Sequence, residues 1–162
     1  LDIWKFSYLC NGMNLADIAL LRTENISGNF LHFFRKKTIR TSKNLVPIKV
    51  SLHPMALEIL MKWRQLDNPY LFAILSPGLS AVTRKNRTEK FIKMVNKNIQ
   101  PVITELEISL NSVSRITSYA ARHSFATTLK RKGVSADEIS EYLGHTDIAT
   151  TKNYLDSFED FF

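Results

Sequence analysis

Apolar residues recur along most of this chain at intervals of three or four positions, the spacing that places side chains on one face of an α-helix. This pattern predicts helices near residues 1–10, 14–19, 54–61, 83–107, 117–131, 136–143 and 148–155. It breaks down between residues 25 and 51, where aromatic and β-branched residues form two short runs. The expected fold is therefore mainly α with a small antiparallel β-sheet.

The two apolar runs, residues 30–34 and 45–50, are predicted to pair as an antiparallel hairpin. Pro47 has no N–H to donate to a ladder, so its strand is expected at an edge of the sheet. The tip between the strands carries the basic residues Arg35, Lys36, Lys37, Arg40 and Lys43. On its own, such a charge run indicates a solvated loop.

In the middle of the chain, the pattern predicts the buried face of one helix and an interruption of another. In the helix that begins at His53-Pro54, the apolar spacing predicts that Leu57, Leu60 and Met61 are buried. The long basic helix at 83–107 is expected to be interrupted near Pro101, because proline removes a helical hydrogen bond. Its lysines and arginines are expected to form mainly a solvated face.

Capping signals divide the last quarter of the chain into three helices. Gly133 follows a basic last turn and ends the first of them. Ser135 and Glu138 form a capping box that opens the second helix, and Gly144 ends it. His145 is therefore expected in a tight bend between two helices.

Burial does not account for two residues in this quarter. Arg122 lies in the middle of an apolar stripe formed by Tyr119, Phe125, Ala126 and Leu129. A guanidinium is almost never fully buried unless it is paired, so Arg122 is expected either in a structural ion pair or facing an anion in a cleft. Tyr154 lies off the predicted inner face of the last helix, which is formed by Ile148, Thr151 and Leu155.

The charge of the chain points to a polyanionic partner. Its 162 residues include 22 Lys and Arg against 15 Asp and Glu, which gives a net charge of +7 and a pI near 9.6. This balance favours nucleic acid. No apolar run approaches the roughly 20 residues that span a bilayer, so no membrane partner is predicted.

Cofactor chemistry and disulfides are not indicated. The single cysteine, Cys10, cannot form an internal disulfide and fits a reducing cytoplasm, the expected location. No Asp/Glu cluster has metal-ligand spacing, and no Gly-Lys-Ser/Thr loop is present to bind a phosphate. We therefore predict no metal and no cofactor.

Arg122, the turn Leu143-Gly144-His145 and Tyr154 together resemble the C-terminal signature of the tyrosine recombinases, the phage integrase family. His145 follows Arg122 by 23 positions, and Tyr154 follows His145 by nine. The resemblance extends from about residue 6 to residue 158 and includes integrases of bacterial mobile elements. It implies the catalytic-domain fold of these DNA breaking-rejoining enzymes.

The resemblance implies a site-specific recombinase that cleaves DNA without metal or ATP. Tyr154 would attack the scissile phosphodiester, leaving a 3′-phosphotyrosyl DNA and a free 5′-hydroxyl. Arg122 would hold the non-bridging oxygens, and Lys37 would protonate the leaving oxygen. His145 would assist proton transfer or orient the phosphate. Tyr119 would hydrogen-bond a phosphate oxygen.

The same resemblance gives the hairpin tip a role on DNA. Arg35, Lys36, Arg40 and Lys43 would bind the duplex beside the scissile phosphate. Lys36 is the close competitor of Lys37 as the general acid, and the alternation of strand faces is expected to decide between them.

Two positions depart from the family pattern. Asn14 stands where the family has its first catalytic arginine, and its presence is sufficiently explained as a helix N-cap. Tyr119 stands where the family usually has histidine. Arg22, Arg40 or Arg115 could supply the missing charge from elsewhere in the chain.

The two ends of the chain suggest how the domain is bounded and which partners it has. Because the chain opens at Leu1 inside an apolar segment, we expect residues 1–162 to be a catalytic domain truncated on its N-terminal side, with the family's DNA-clamping domain outside. The last residues, 155–162, mix acidic and aromatic side chains, which suits a protein contact. The implied partners are double-stranded DNA and further copies of the chain, a synaptic tetramer joined through this segment, with no small-molecule substrate.

Two other functions fit part of the pattern. Residues 134–154, a helix, a glycine turn and a helix, also match a helix-turn-helix, so a non-catalytic DNA-binding regulator is an alternative. It leaves Arg122 unexplained. A type IB topoisomerase would share the chemistry without synapsis or strand exchange.

Overall fold

The computed structural model describes residues 1–39, 46–107, 116–145 and 147–156, except for the side chains of Tyr154 and Asp156. The described helices are α1 (Asp2–Leu9), α2 (Leu15–Ile18), α3 (Pro54–Trp63), α4 (Ala81–Glu105), α5 (Tyr119–Arg131), α6 (Ala136–Leu143) and α7 (Ile148–Asp156), and a 3₁₀ turn spans Thr23–Asn25. The strands are β1 (Ile26–Ser27), β2 (Phe30–Phe33) and β3 (Ile48–Ser51). The predicted class, mainly α with a small antiparallel sheet, is confirmed.

The sheet has the order β1-β2-β3 and is antiparallel throughout. Leu31 lies opposite Val50, and both are buried against the helices. β3 is an edge strand, as predicted from Pro47, which lies just before it. The hairpin therefore has one face in the core.

One hydrophobic cluster joins α1, α2, α3 and the sheet, and Phe6, Ile18, Leu31 and Leu60 are among its buried members. Here the predicted face of α3 was wrong at one position. The buried residues of α3 are Ala56, Ile59 and Leu60, whereas Met61 is 77% exposed. Both sets of positions fit helical spacing, and the small side chain of Ala56 favours the face that packs against α1.

Helix α4 continues without a break through Pro101, contrary to the prediction. Proline removes the bond to the carbonyl of Lys97, which lies on the exposed side of the helix where water can reach that carbonyl. Nearby, the Gln100 side chain donates to the carbonyls of Asn96 and Ile116, which ties the end of α4 to the approach to α5. The basic residues of α4 are exposed, as predicted.

A second cluster, whose buried members are Ala126, Ile139, Leu143 and Leu155, joins α5, α6 and α7. The predicted capping box at the start of α6 is confirmed: Ser135 Oγ accepts from the N–H of Glu138 at 3.2 Å, and Glu138 Oε2 accepts from the N–H of Ser135 at 3.2 Å. Gly144 ends α6 in the left-handed conformation, with φ of 63°. No described helix combines the length and apolar character needed to cross a membrane.

The turn after α1 brings the two clusters together. Gly12 has φ of 62°, and a Cβ at this position would lie 2.7 Å from the Cα of Arg122. Close by, the rings of Tyr8 and Phe125 meet edge to face with centroids 6.2 Å apart. Only glycine lets the backbone of this turn lie directly against α5.

This close approach predicts a stability difference between two glycines that both follow a helix with positive φ. A Cβ at Gly133 would meet open space, so Gly133→Ala should lower the free energy of unfolding by only about 1 kcal/mol, because alanine disfavours the left-handed backbone there. Gly12→Ala should cost roughly a further 1–3 kcal/mol, because its Cβ meets backbone atoms. Urea unfolding of both variants measures this, and equal losses would show that α1 and α5 are not in this contact.

Candidate active site

A cleft of about 450 Å³ opens between the α1–α2 turn, the segment after β2 and the start of α5. Its polar lining includes Asn14, Asp17, Lys36, Lys37, Tyr119 and Arg122. The structure thus brings four of the predicted site residues, Lys36, Lys37, Tyr119 and Arg122, to one cavity, although they are up to 86 positions apart in the chain.

Arg122 is only 3% exposed and is held by groups from two segments, the turn after α1 and the end of α6. Its Nη1 donates to the carbonyl of Gly12 at 3.1 Å, and its Nη2 donates to the carbonyl of Leu143. Nη2 also lies 3.2 Å from Nε2 of His145. These carbonyls are neutral, so they fix the guanidinium in place without cancelling its charge.

His145 occupies the predicted bend between α6 and α7. Its N–H donates to the carbonyl of Ser140 at 3.0 Å, and its imidazole lies between Arg122 and Thr151, with Nδ1 2.7 Å from Thr151 Oγ1. Burial lowers the pKa of His145 to about 4, and the positive charges of Arg122, Arg35 and Lys37 act in the same direction. The ring is therefore neutral at pH 7.

The two lysines that compete as general acid lie in a turn directly after β2, not on a strand. The prediction that strand alternation would decide between them is therefore wrong. Both side chains are exposed and line the cleft, but they face different neighbours. The charge of Lys37 acts on the pKa of His145, whereas that of Lys36 acts on the pKa of Asp17.

Asp17 is a site residue that sequence reasoning missed, because an acid in the first turn of a helix is ordinary. It is buried, and its Oδ1 accepts from the N–H of Lys36 at 2.8 Å. Burial raises its pKa, opposed by that hydrogen bond and by the charges of Arg35, Arg122 and Lys36. Asp17 thus clamps the lysine-bearing turn to α2.

Asn14 and Tyr119 lie at the mouth of the cleft. Asn14 occupies the N-cap position of α2, as predicted, but its side chain makes no capping hydrogen bond. Tyr119 begins α5 and is 43% exposed, so it is not part of the buried stripe that the pattern predicted. Its ring meets that of His123 edge to face, with the ring centroids 4.5 Å apart. Burial is the main cause that lowers the pKa of His123 to about 4, and the charge of Arg122 acts in the same direction.

The arginines named as possible sources of the missing charge are only partly covered by the structure. Arg22 bonds to Glu24 at 3.3 Å and lies over the ring of Tyr70, and it does not line the cleft. Arg22 was thus a wrong candidate. Arg40, Lys43 and Arg115 lie outside the described residues.

Arg35, predicted as a DNA contact, packs against the bend that carries His145. Its Nη1 donates to the carbonyl of Gly144 at 3.4 Å. Its charge acts on the pKa of both Asp17 and His145.

Tyr154 lies on α7, three positions after Thr151, and α7 packs against α6 and α5 of the same chain. The position of its side chain lies outside the described part of the structure. Among the described residues, no group of three or more His, Cys, Asp or Glu side chains is arranged to hold a metal ion.

The phage integrase family matches residues 8–160, so this chain belongs to that family. The chain is 31% identical over 151 residues to a tyrosine recombinase of Thermosipho africanus. This alignment covers 89% of the chain and 45% of the relative. It is 28% identical over 149 residues to the tyrosine recombinase XerA of Pyrococcus horikoshii, covering 88% and 45%. The chain spans about half the length of the curated relatives it matches.

Solved structures show the same fold. A crystal structure of XerA recombinase matches 94% of this chain and 50% of its own, with a TM-score of 0.61 and 20% identity. XerH recombinase bound to a palindromic difH substrate in a post-cleavage complex matches 98% and 42%, with a TM-score of 0.65 and 17% identity. The structure of the Tn1549 transposon integrase in complex with transposon right-end DNA matches 94% of this chain and 53% of its own, with a TM-score of 0.62 and 16% identity. The predicted family and catalytic-domain fold are confirmed.

Proposed function

We propose that residues 1–162 are the catalytic domain of a site-specific DNA recombinase, preceded in the full-length protein by a DNA-clamping domain. The observation that supports this most is Arg122, whose buried charge is fixed by neutral carbonyls beside a cleft with two lysines. Such a guanidinium is suited to an anion that enters from solvent. The family membership and the net charge of +7 make double-stranded DNA the substrate of this proposal.

The reaction that fits these groups splits one phosphoryl transfer into two. The phenolic oxygen of Tyr154 forms a bond to phosphorus while the bond from phosphorus to the 5′-oxygen breaks. The product is a 3′-phosphotyrosyl DNA and a 5′-hydroxyl. A 5′-hydroxyl from a partner strand then attacks the phosphotyrosyl bond, which releases Tyr154 and joins the exchanged strands without metal or ATP.

Arg122 stabilises the transition state in this proposal. As the fifth oxygen approaches phosphorus, negative charge grows on the non-bridging oxygens. A guanidinium that is already oriented needs no rearrangement at that moment. Tyr119, exposed at the mouth of the cleft, adds a hydroxyl that can donate to a non-bridging oxygen.

Lys37 is the general acid of this proposal, and Lys36 a DNA contact. The charge of Lys37 acts on His145, which contacts Arg122, whereas the backbone of Lys36 is held by Asp17. Arg35 adds positive charge that acts on both Asp17 and His145. Arg40 and Lys43 remain proposed DNA contacts, and Arg40 or Arg115 remains the proposed source of the charge that Asn14 does not supply.

Assembly on DNA is proposed to use further copies of this chain. The acidic and aromatic tail, residues 157–162, would dock on a neighbouring copy to form a synaptic tetramer. This part of the proposal rests on composition and on the family resemblance.

The function is tested by trapping the covalent intermediate. On a nicked duplex that carries the recombination site, full-length protein should form a protease-sensitive adduct, and Tyr154→Phe should form none while binding the duplex equally well. Tyr142→Phe, which alters a half-exposed tyrosine on α6, is the matched control and should react at the parent rate. An adduct with Tyr154→Phe would refute the assignment. If the parent protein bound the duplex tightly but formed no adduct, the result would favour the alternative function, a non-catalytic DNA-binding regulator.

The role of Lys37 is tested by a change in the leaving group. Lys37→Ala should slow cleavage of an ordinary phosphodiester by roughly 10²–10⁴-fold, the usual contribution of general acid catalysis. It should barely slow a substrate whose leaving 5′-oxygen is replaced by sulfur, because a thiolate departs without a proton. Lys36→Ala should affect both substrates alike. If the sulfur-containing substrate instead restored the rate of Lys36→Ala but not that of Lys37→Ala, Lys36 would be the general acid and Lys37 the DNA contact.

A further inference from the structure

Thr151 makes a contact that the apolar pattern of α7 does not require. It is fully buried, at 0% exposure, close to the apolar cluster that contains Leu143 and Leu155. A buried hydroxyl is costly unless it is hydrogen-bonded, and valine would fill the same volume without that cost. The partner of the hydroxyl is Nδ1 of His145, at 2.7 Å.

The neighbouring contact shows which nitrogen of His145 carries the proton. Arg122 can only donate, so Nε2 of His145, 3.2 Å from Nη2, must accept. In a neutral ring the proton then lies on Nδ1, and Thr151 Oγ1 accepts it. Arg122, His145 and Thr151 thus form a chain in which each side chain donates to the next.

The charged groups around the ring support a neutral imidazole. The positive charges of Arg122, Arg35 and Lys37 all act on His145, and an imidazolium would direct a second N–H at the guanidinium of Arg122. The lowered pKa of His145 agrees with this geometry. In this tautomer, Nε2 has its lone pair bound to Arg122 and no proton to give.

We propose that Thr151 is a positioning residue that accepts from Nδ1–H of His145 and so, together with Arg122, holds the Nδ1–H tautomer, in which His145 orients Arg122 and does not transfer a proton through Nε2. The catalytic part of this inference rests on the proposed function, whereas the tautomer does not. Thr151 lies one helical turn before Tyr154, so the helix that carries the nucleophile also holds the group that orients the phosphate-binding arginine.

The tautomer is measured directly by the ¹⁵N chemical shifts of the imidazole in full-length protein labelled with ¹⁵N-histidine, assigned by loss of the signal in His145→Asn. At pH 7 the parent should show the Nδ1–H form, and Thr151→Ser should keep it. Thr151→Val should lose it, because the hydroxyl that accepts from Nδ1–H is removed. An Nε2–H form in the parent, or an unchanged spectrum in Thr151→Val, would overturn the proposal. This holds even if the protein forms no DNA adduct.

A double-mutant cycle separates positioning from packing. Thr151→Val should slow adduct formation on the nicked duplex by about tenfold, the size of one lost hydrogen bond, and Thr151→Ser should retain most of the rate. Rates are normalised to the folded fraction from circular dichroism. In a His145→Asn background, Thr151→Val should slow the reaction no further, because Thr151 acts through His145. Losses that multiply in the double variant would show that Thr151 is only a packing residue.

Discussion

The burial of the Arg122 guanidinium is the interaction on which the rest of the structure depends. A charge at 3% exposure is tolerated only if it is well hydrogen-bonded, and here Nη1 and Nη2 donate to carbonyls from two separate parts of the chain, Gly12 and Leu143. The two hydrophobic clusters must therefore be docked before the arginine is stable. The absence of a side chain at Gly12 is what allows the necessary approach.

The end of α6 supplies the other half of this arrangement. The last carbonyls of a helix have no partner within it and carry the negative end of the helix dipole, so they favour cations. Leu143 offers its carbonyl to Arg122, and Gly144 offers its carbonyl to Arg35. The left-handed turn at Gly144 then places His145 against the guanidinium. A helix ending thus orients two arginines and one histidine.

The electrostatic consequence is a cleft poised for an anion. Arg35, Lys36, Lys37 and Arg122 act on one small region, and both histidines there, His123 and His145, have their pKa lowered to about 4. Asp17 opposes this charge but is turned to the backbone of Lys36, and burial raises its pKa. Such a concentration of positive charge destabilises the empty site, and a bound phosphate relieves it.

Much of this could be predicted from the sequence where a local rule applies. The capping box at Ser135, the glycine ends of two helices and the edge strand at Pro47 follow from the chemistry of single residues. Arg122 was identifiable because a charge in an apolar stripe is rare. These are signals that need no knowledge of tertiary contacts.

The failures share a different cause. Asp17 resembles any acid in a first helical turn, and only its contact with Lys36, 19 positions away, gives it a role. Met61 and Ala56 are equally good members of a helical stripe until α1 selects one face. The turn that carries Lys36 and Lys37 leaves the strand before alternation can apply. Each depends on packing between segments that are distant in the chain.

The central claim is that the charge of Arg122 acts on the scissile phosphate, and a neutral substrate tests it most directly. Replacing one non-bridging oxygen by methyl gives a methylphosphonate, which carries no charge. Arg122→Ala should slow adduct formation on the ordinary phosphodiester by roughly 10²–10³-fold, and on the methylphosphonate by at least about tenfold less. Any loss of folded protein is common to both substrates and cancels in the comparison. The same slowing factor on both would show that Arg122 only holds the two halves of the domain together.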